Sequence, residues 1–193
     1  MYVDLRSESW LMVMFTELSD RLEAAPNCRK FLDVWQRWRG ARLNPIKLDV
    51  RPEALGSAMS AIALFEVEAP DRIIFRMVSS DLEAFTGRMR KGANYVELAR
   101  PEDREERIER HRRLANTPCG AFSLVAIYPE SGLTELLRSL ALPLARDNET
   151  KPRFLYMAAD IESDKHWEPL PARFSSSLAV KYISVDIGCS APV

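Results

Sequence analysis

Apolar residues recur at Leu11, Met14, Phe15, Leu18 and Leu22, a spacing of three and four that predicts an amphipathic helix over residues 8–23. Ser7 or Ser9 can cap its start, and Pro26 follows its end. A short strand over 10–15 is the alternative. A second helix is predicted from Pro26 or Asn27 to about Arg39. Phe31, Val34, Trp35 and Trp38 share one of its faces, and Gly40 stands where a helix-ending glycine belongs. The next stretch, ARLNPIKLDVRPEALG, carries two prolines that deny it a long helix. The period then shortens to two. Residues 59–67 and 72–79 read as strands joined by an APD turn, a hairpin in which Arg76 faces solvent while Phe75 and Met77 face inward.

Helical signals return in pieces. Residues 81–85 form a short helix ended by Thr86-Gly87, and 94–98 form another. Residues 101–114 form a longer one, with Pro101 in its first turn. The last third is extended again: strands at 120–128, 133–144 and 153–161, separated by a PESG turn and the polar connection ARDNETKP. KYISVDIG in the tail is either a sixth strand or a strap across the domain. Two strands, a helical crossover and three more strands predict an α+β fold. Its expected form is a five-stranded antiparallel sheet with short helices on one face, preceded by N-terminal helices.

Composition narrows the function. A chain of 193 residues, 47% hydrophobic and 28% charged, has the apolar content for one buried core with extensions. Its formal net charge of −1, with no long basic run, argues against binding a nucleic-acid duplex. The densest charged stretch, PEDREERIERHRR, alternates signs like a solvated helix face. Cys28, Cys119 and Cys189 fit neither a metal-ligand spacing nor a disulfide framework, which points to a reducing cytoplasm. No apolar run reaches the roughly 20 residues of a membrane span, and the N-terminus lacks the pattern of a signal peptide. Membrane association is therefore not expected.

Four stretches carry a family likeness: FLDVWQRWRG with its proline-bearing sequel, FRMVSSDLEAFTGR, SGLTELLRSLALPL and FLYMAADI. In order and spacing they resemble a PAS domain, and more narrowly the PAS-like family found mostly in alphaproteobacteria as small stand-alone proteins. Such relatives carry Gly-Thr where this chain has Ser79-Ser80, and both serines keep the position small. The resemblance divides the chain into an N-terminal helical extension (1–30), a PAS-like domain (31–162) and a C-terminal tail (163–193). It implies a non-catalytic sensory or regulatory role. It does not imply a ligand, because PAS domains bind haem, flavins, small acids or nothing.

Candidate chemistry is sparse. No catalytic residue and no metal site is predicted, and the expected cofactor is none. His111 lies among Arg110, Arg112 and Arg113, which places it on an exposed face; the alternative is a haem ligand, as in haem-binding PAS domains. His166, beside Trp167, reads as surface packing. Cys28 sits in NCRKFL, ahead of the PAS core, and Tyr95 stands where light-sensing relatives carry their flavin-reactive cysteine, so a covalent flavin switch is not supported. Phe75, Met77, Phe85, Tyr95, Phe122, Tyr156 and Met157 either line a ligand pocket or fill the core. Trp35 and Trp38 either pack on the chain's own sheet or join Leu11, Phe15 and Leu18 in a dimer seam. The expected partners are a second copy of the chain, a small molecule and a signalling protein.

Overall fold

Pro26 opens α1 (Pro26–Arg39), since its fixed φ suits the first helical turn and that turn has no use for its missing N–H. Gly40 closes the helix with a φ of 57°, its N–H donating to the Gln36 carbonyl at 3.1 Å. In the computed structural model, which describes residues 21–116, 119–129, 135–145, 152–162 and 174–186, this helix lies across a six-stranded sheet. The strands are β1 (Ile62–Ala69), β2 (Arg72–Val78), β3 (Cys119–Pro129), β4 (Glu135–Ala145), β5 (Pro152–Glu162) and β6 (Phe174–Asp186). Their order is β2-β1-β5-β4-β3-β6 and every pairing is antiparallel. The five strands expected from the sequence are present, and the tail supplies the sixth, paired along β3.

Between β2 and β3 run α2 (Ser80–Thr86), 3-10 turns at Tyr95–Leu98 and Pro101–Asp103, and α3 (Arg104–Asn116). Gly87 ends α2 in the left-handed conformation, with a φ of 62°. The strand expected from Met59 begins only at Ile62. Pro52 starts a 3-10 segment, Pro52–Ala61, broken at Gly56 with a φ of 55°, and Met59 to Ala61 finish that segment. The predicted helix over 8–23 and the PESG turn lie largely outside the described residues.

The sheet has two covered faces. Even-numbered residues of the central strands (Ile62, Leu140, Leu142, Tyr156, Ala158) pack with Phe31, Val34, Trp35 and Trp38 of α1. Odd-numbered ones (Ala63, Phe65, Leu137, Met157, Ala159) pack with Leu82, Phe85, Val96, Leu98 and Leu114 of the crossover. Period-two alternation along each strand produces both surfaces. The short helices therefore occupy one face, as expected, and α1 closes the other.

Helix α1 carries no side-chain cap of its own; its N-cap residue is Ala25. The cap comes from β5. The Asp160 carboxylate accepts the backbone N–H of Asn27 and of Cys28, each at 2.9 Å, and Asn27 Nδ2 donates to the Ala159 carbonyl at 3.2 Å. A carboxylate at a helix N-terminus satisfies orphan donors and complements the helix dipole. Farther along, Trp35 Nε1 donates to the Pro143 carbonyl at 2.9 Å, and Trp38 stacks on Tyr156 with centroids 5.9 Å apart. Asp160→Ala should lower the unfolding free energy from denaturant titration by about 2 kcal/mol and Asp160→Asn by about 1 kcal/mol, because alanine removes both accepting oxygens whereas asparagine keeps one of them and loses the other together with the charge. A change within experimental error for both would remove the capping role.

Candidate functional site on the crossover face

The face covered by the crossover gathers a cluster of aromatic and basic side chains around Tyr95. Asn94 sets its position. Its side-chain oxygen accepts the backbone N–H of Ile73 on edge strand β2 at 3.1 Å and of Val96 at 3.2 Å, while its Nδ2 donates to the Asp71 carbonyl at 2.9 Å. The Phe75 N–H donates to the Ala93 carbonyl at 3.1 Å, and the Gly92 N–H to the Phe75 carbonyl at 2.8 Å. Asn94 thus staples the start of the 3-10 turn to the outer edge of β2, and Tyr95 follows directly.

The ring of Tyr95 lies edge-on to Phe65 and Phe75, with centroids 5.1 and 5.9 Å away, while Phe65 and Phe75 are 4.7 Å apart. The guanidinium of Arg107 sits 4.6 Å above the Tyr95 ring and donates to the Tyr95 carbonyl at 3.1 Å. The ring of His111 is 4.7 Å from Tyr95. Its Nδ1 lies 2.8 Å from the Arg107 carbonyl, which selects the Nδ1–H tautomer in the neutral ring and leaves a lone pair on Nε2. Burial depresses the His111 pKa to about 4, with the nearby charges of Arg107 and Arg110 acting the same way and the Arg107 carbonyl opposing them. At neutral pH the cluster is a neutral imidazole and a cation sharing one aromatic ring.

A family model described as "PAS domain" matches residues 24–158, a span that takes in all of α1 and runs into β5. The chain belongs to the PAS domain family. No curated protein matches it. Membership of the PAS family indicates a sensory or regulatory role in general terms.

Within this PAS domain the seven aromatic and methionine candidates do not share one space. Phe75, Phe85, Tyr95 and Met157 belong to the crossover face. Phe122 and Tyr156 belong to the α1 face, and Met77 packs partly buried against that face. The expectation that Phe75 and Met77 point the same way is corrected by a register shift. Leu64 pairs with Met77 and Phe65 with Phe75, so Arg76 is an extra residue in β2 and the alternation resets there. Arg76 itself is exposed, as expected, and binds Glu66 at 2.7 Å and also Glu68.

One further expectation changes, and one of two stated alternatives is favoured. His111 is buried, not exposed, because Arg107, His111 and Leu114 fall on one helical stripe turned toward the sheet. Trp35 and Trp38 are buried against their own sheet and are not available as a seam; Leu11, Phe15 and Leu18 lie outside the described residues, as does His166. Cys28 is fully buried on the α1 face, its thiol pKa raised by burial and by Asp160. Among the described residues no group of His, Cys, Asp and Glu could hold a metal ion, and no helix is long and apolar enough to cross a membrane.

The sequence reading missed Arg107, Asn94 and Asp160. The signal for Arg107 was its place four residues before His111 and seven before Leu114, a buried-face spacing inside a strongly charged helix. The depressed His111 pKa has a consequence with a definite sign. The unfolded chain takes up its histidine proton near pH 6.5, whereas the native state does so only near pH 4. Stability contributed by the neutral ring is thus complete above the higher value and lost as pH falls toward the lower. Between pH 7 and pH 5 the wild-type protein should lose about 2 kcal/mol more than His111→Gln in matched denaturant titrations. Parallel pH curves for the two proteins would contradict a buried neutral imidazole.

Proposed function

We propose that this PAS domain is a non-catalytic sensory module. It takes a small molecule against the Tyr95–Arg107–His111 cluster and passes its state to α1 by contact. One observation carries the reading: β5 serves both faces by alternation. Met157 and Ala159 reach the crossover face, while Tyr156, Ala158 and Asp160 reach α1. A ligand that shifts the crossover cluster displaces the same strand that caps α1. Output through α1 to a second copy or a signalling partner in the cytoplasm then needs no second domain.

A second reading has a specific observation behind it. The Nδ1 of His111 is committed to the Arg107 carbonyl, and a histidine oriented this way offers Nε2 as a ligand, the arrangement a haem iron uses. The ring contacts with Tyr95 and the overlying Arg107 favour the organic ligand instead.

Native mass spectrometry of the purified protein, followed by a thermal-shift screen of small carboxylic acids and aromatic compounds, tests the proposal. The expected result is a colourless protein with a retained or added small molecule whose stabilising effect disappears in Tyr95→Ala. A bare chain with no stabilising compound would overturn the proposal in favour of a protein–protein adaptor whose core is filled and takes no ligand. A strong Soret absorbance lost in His111→Ala would establish the haem reading.

A further inference from the structure

We propose that the segment from α1 to β1 docks this protein on an anionic lipid surface. The net charge of −1 hides a strong segregation. Between Arg29 and Arg51 lie seven cations (Arg29, Lys30, Arg37, Arg39, Arg42, Lys47 and Arg51) and only two carboxylates, Asp33 and Asp49, so the remainder of the chain is net −6. Because the cations are spaced out by apolar residues, they form no run that a linear reading detects. Six of the seven are exposed, Arg39 being half-buried.

The same segment bears the two most exposed large apolar side chains among the described residues, Leu43 at 56% and Leu48 at 65% relative exposure. They are not loose. The loop that carries them is closed by an ion pair between Arg42 and Asp49. The same Asp49 carboxylate accepts the Ile46 N–H at 3.0 Å. Between the leucines, the Pro45 carbonyl accepts the Ala145 N–H at 2.9 Å and Ile46 bridges to Ala145, which fastens the loop to the end of β4. Lys47 is held with its ammonium 5.5 Å from the Phe154 ring, and Arg51 Nη1 donates to the Leu48 carbonyl at 2.6 Å. Leu43 and Leu48 therefore stand on either side of a fastened turn, with cations beside them.

Charge complementarity selects the occupant. Protruding leucines with Lys47 and Arg51 beside them match a negatively charged interface with an apolar layer beneath it. Two exposed leucines are a small apolar centre for a protein interface, whose fully buried core is richer in apolar and aromatic side chains and poor in charged ones. A bilayer needs only side chains that enter the headgroup layer and cations that stay outside it. The absence of a long apolar helix among the described residues bears on spanning a membrane, not on lying against one.

The test is co-sedimentation of the full chain with vesicles of phosphatidylcholine alone and of phosphatidylcholine with an equal part of phosphatidylglycerol. Binding is expected only to the anionic vesicles, and should weaken steeply as salt shortens the Debye length. The double variant Leu43→Ser/Leu48→Ser and the charge reversal Lys47→Glu/Arg51→Glu should each reduce binding about tenfold. The thermal midpoint of Leu43→Ser/Leu48→Ser should stay close to wild type, since both leucines are exposed; that of the charge reversal, which gives up the Lys47–Phe154 and Arg51–Leu48 contacts, should fall only slightly. Failure to bind anionic vesicles at low salt would overturn the proposal, as would equal binding to neutral vesicles or binding that both variants retain. Salt-sensitive self-association abolished by the same variants, without vesicle binding, would also overturn it and assign the surface to a second copy of the chain.

Discussion

The hold that β5 has on the start of α1 is the constraint on which the rest of the structure depends. Helix α1 begins at a proline after an alanine, with no local side chain to accept its first N–H groups. Left alone it would fray, because a helix of this length is marginal in water. Asp160 accepts two of those donors from more than 130 positions away in sequence, and Asn27 returns a bond to the neighbouring Ala159 carbonyl. Once the first turn is fixed, Phe31 and Trp38 meet Tyr156, and Trp35 reaches the Pro143 carbonyl. Covering the α1 face in turn leaves the opposite face of the same strands to the crossover. The helix, the central strands and the aromatic cluster around Tyr95 are thus organised about one carboxylate and the strand that presents it.

This arrangement gives a physical route by which a change on one face of the sheet reaches the other. Strand β5 lies near the middle of the sheet, between β1 and β4, and alternates its side chains between two packed layers. Packed interiors move in discrete steps rather than deforming smoothly. A change in packing at Met157 is met at once by Tyr156 and Ala158 on the other side. The cap at Asp160 is three residues farther on, at the point where α1 is least able to hold itself. A modest displacement there acts on hydrogen bonds to a charged group, which are among the costlier interactions to break.

What could be read from the sequence follows from which features are local. The strands β2 to β5 and the helix α1 announce themselves by their apolar runs and spacing, and FLYMAADI, apolar at nearly every position, fits a strand such as β5 that is covered on both faces. The bulge at Arg76 could not be read, since a single inserted residue leaves the apolar pattern of RIIFRMV unchanged while reversing the face of Met77. Met59 looked like the start of a strand because it precedes an apolar run, but Pro52 had already committed the chain to 3-10 geometry. His111 was judged by its immediate neighbours, all arginines, when the informative positions were a helical turn away. The Asp160 cap was invisible for a different reason: its partners are backbone groups of a distant helix, and no side-chain pattern records them.

Hydrogen exchange measured residue by residue under native conditions tests the central claim most directly, because it separates local opening of α1 from global unfolding. If Asp160 fastens α1 as a distinct unit, Asp160→Asn should speed exchange in the first half of α1 by about tenfold more than in β4. If α1 and β4 instead accelerate by the same factor, the helix is simply part of one cooperative block, and the account of β5 as the link between the two faces fails.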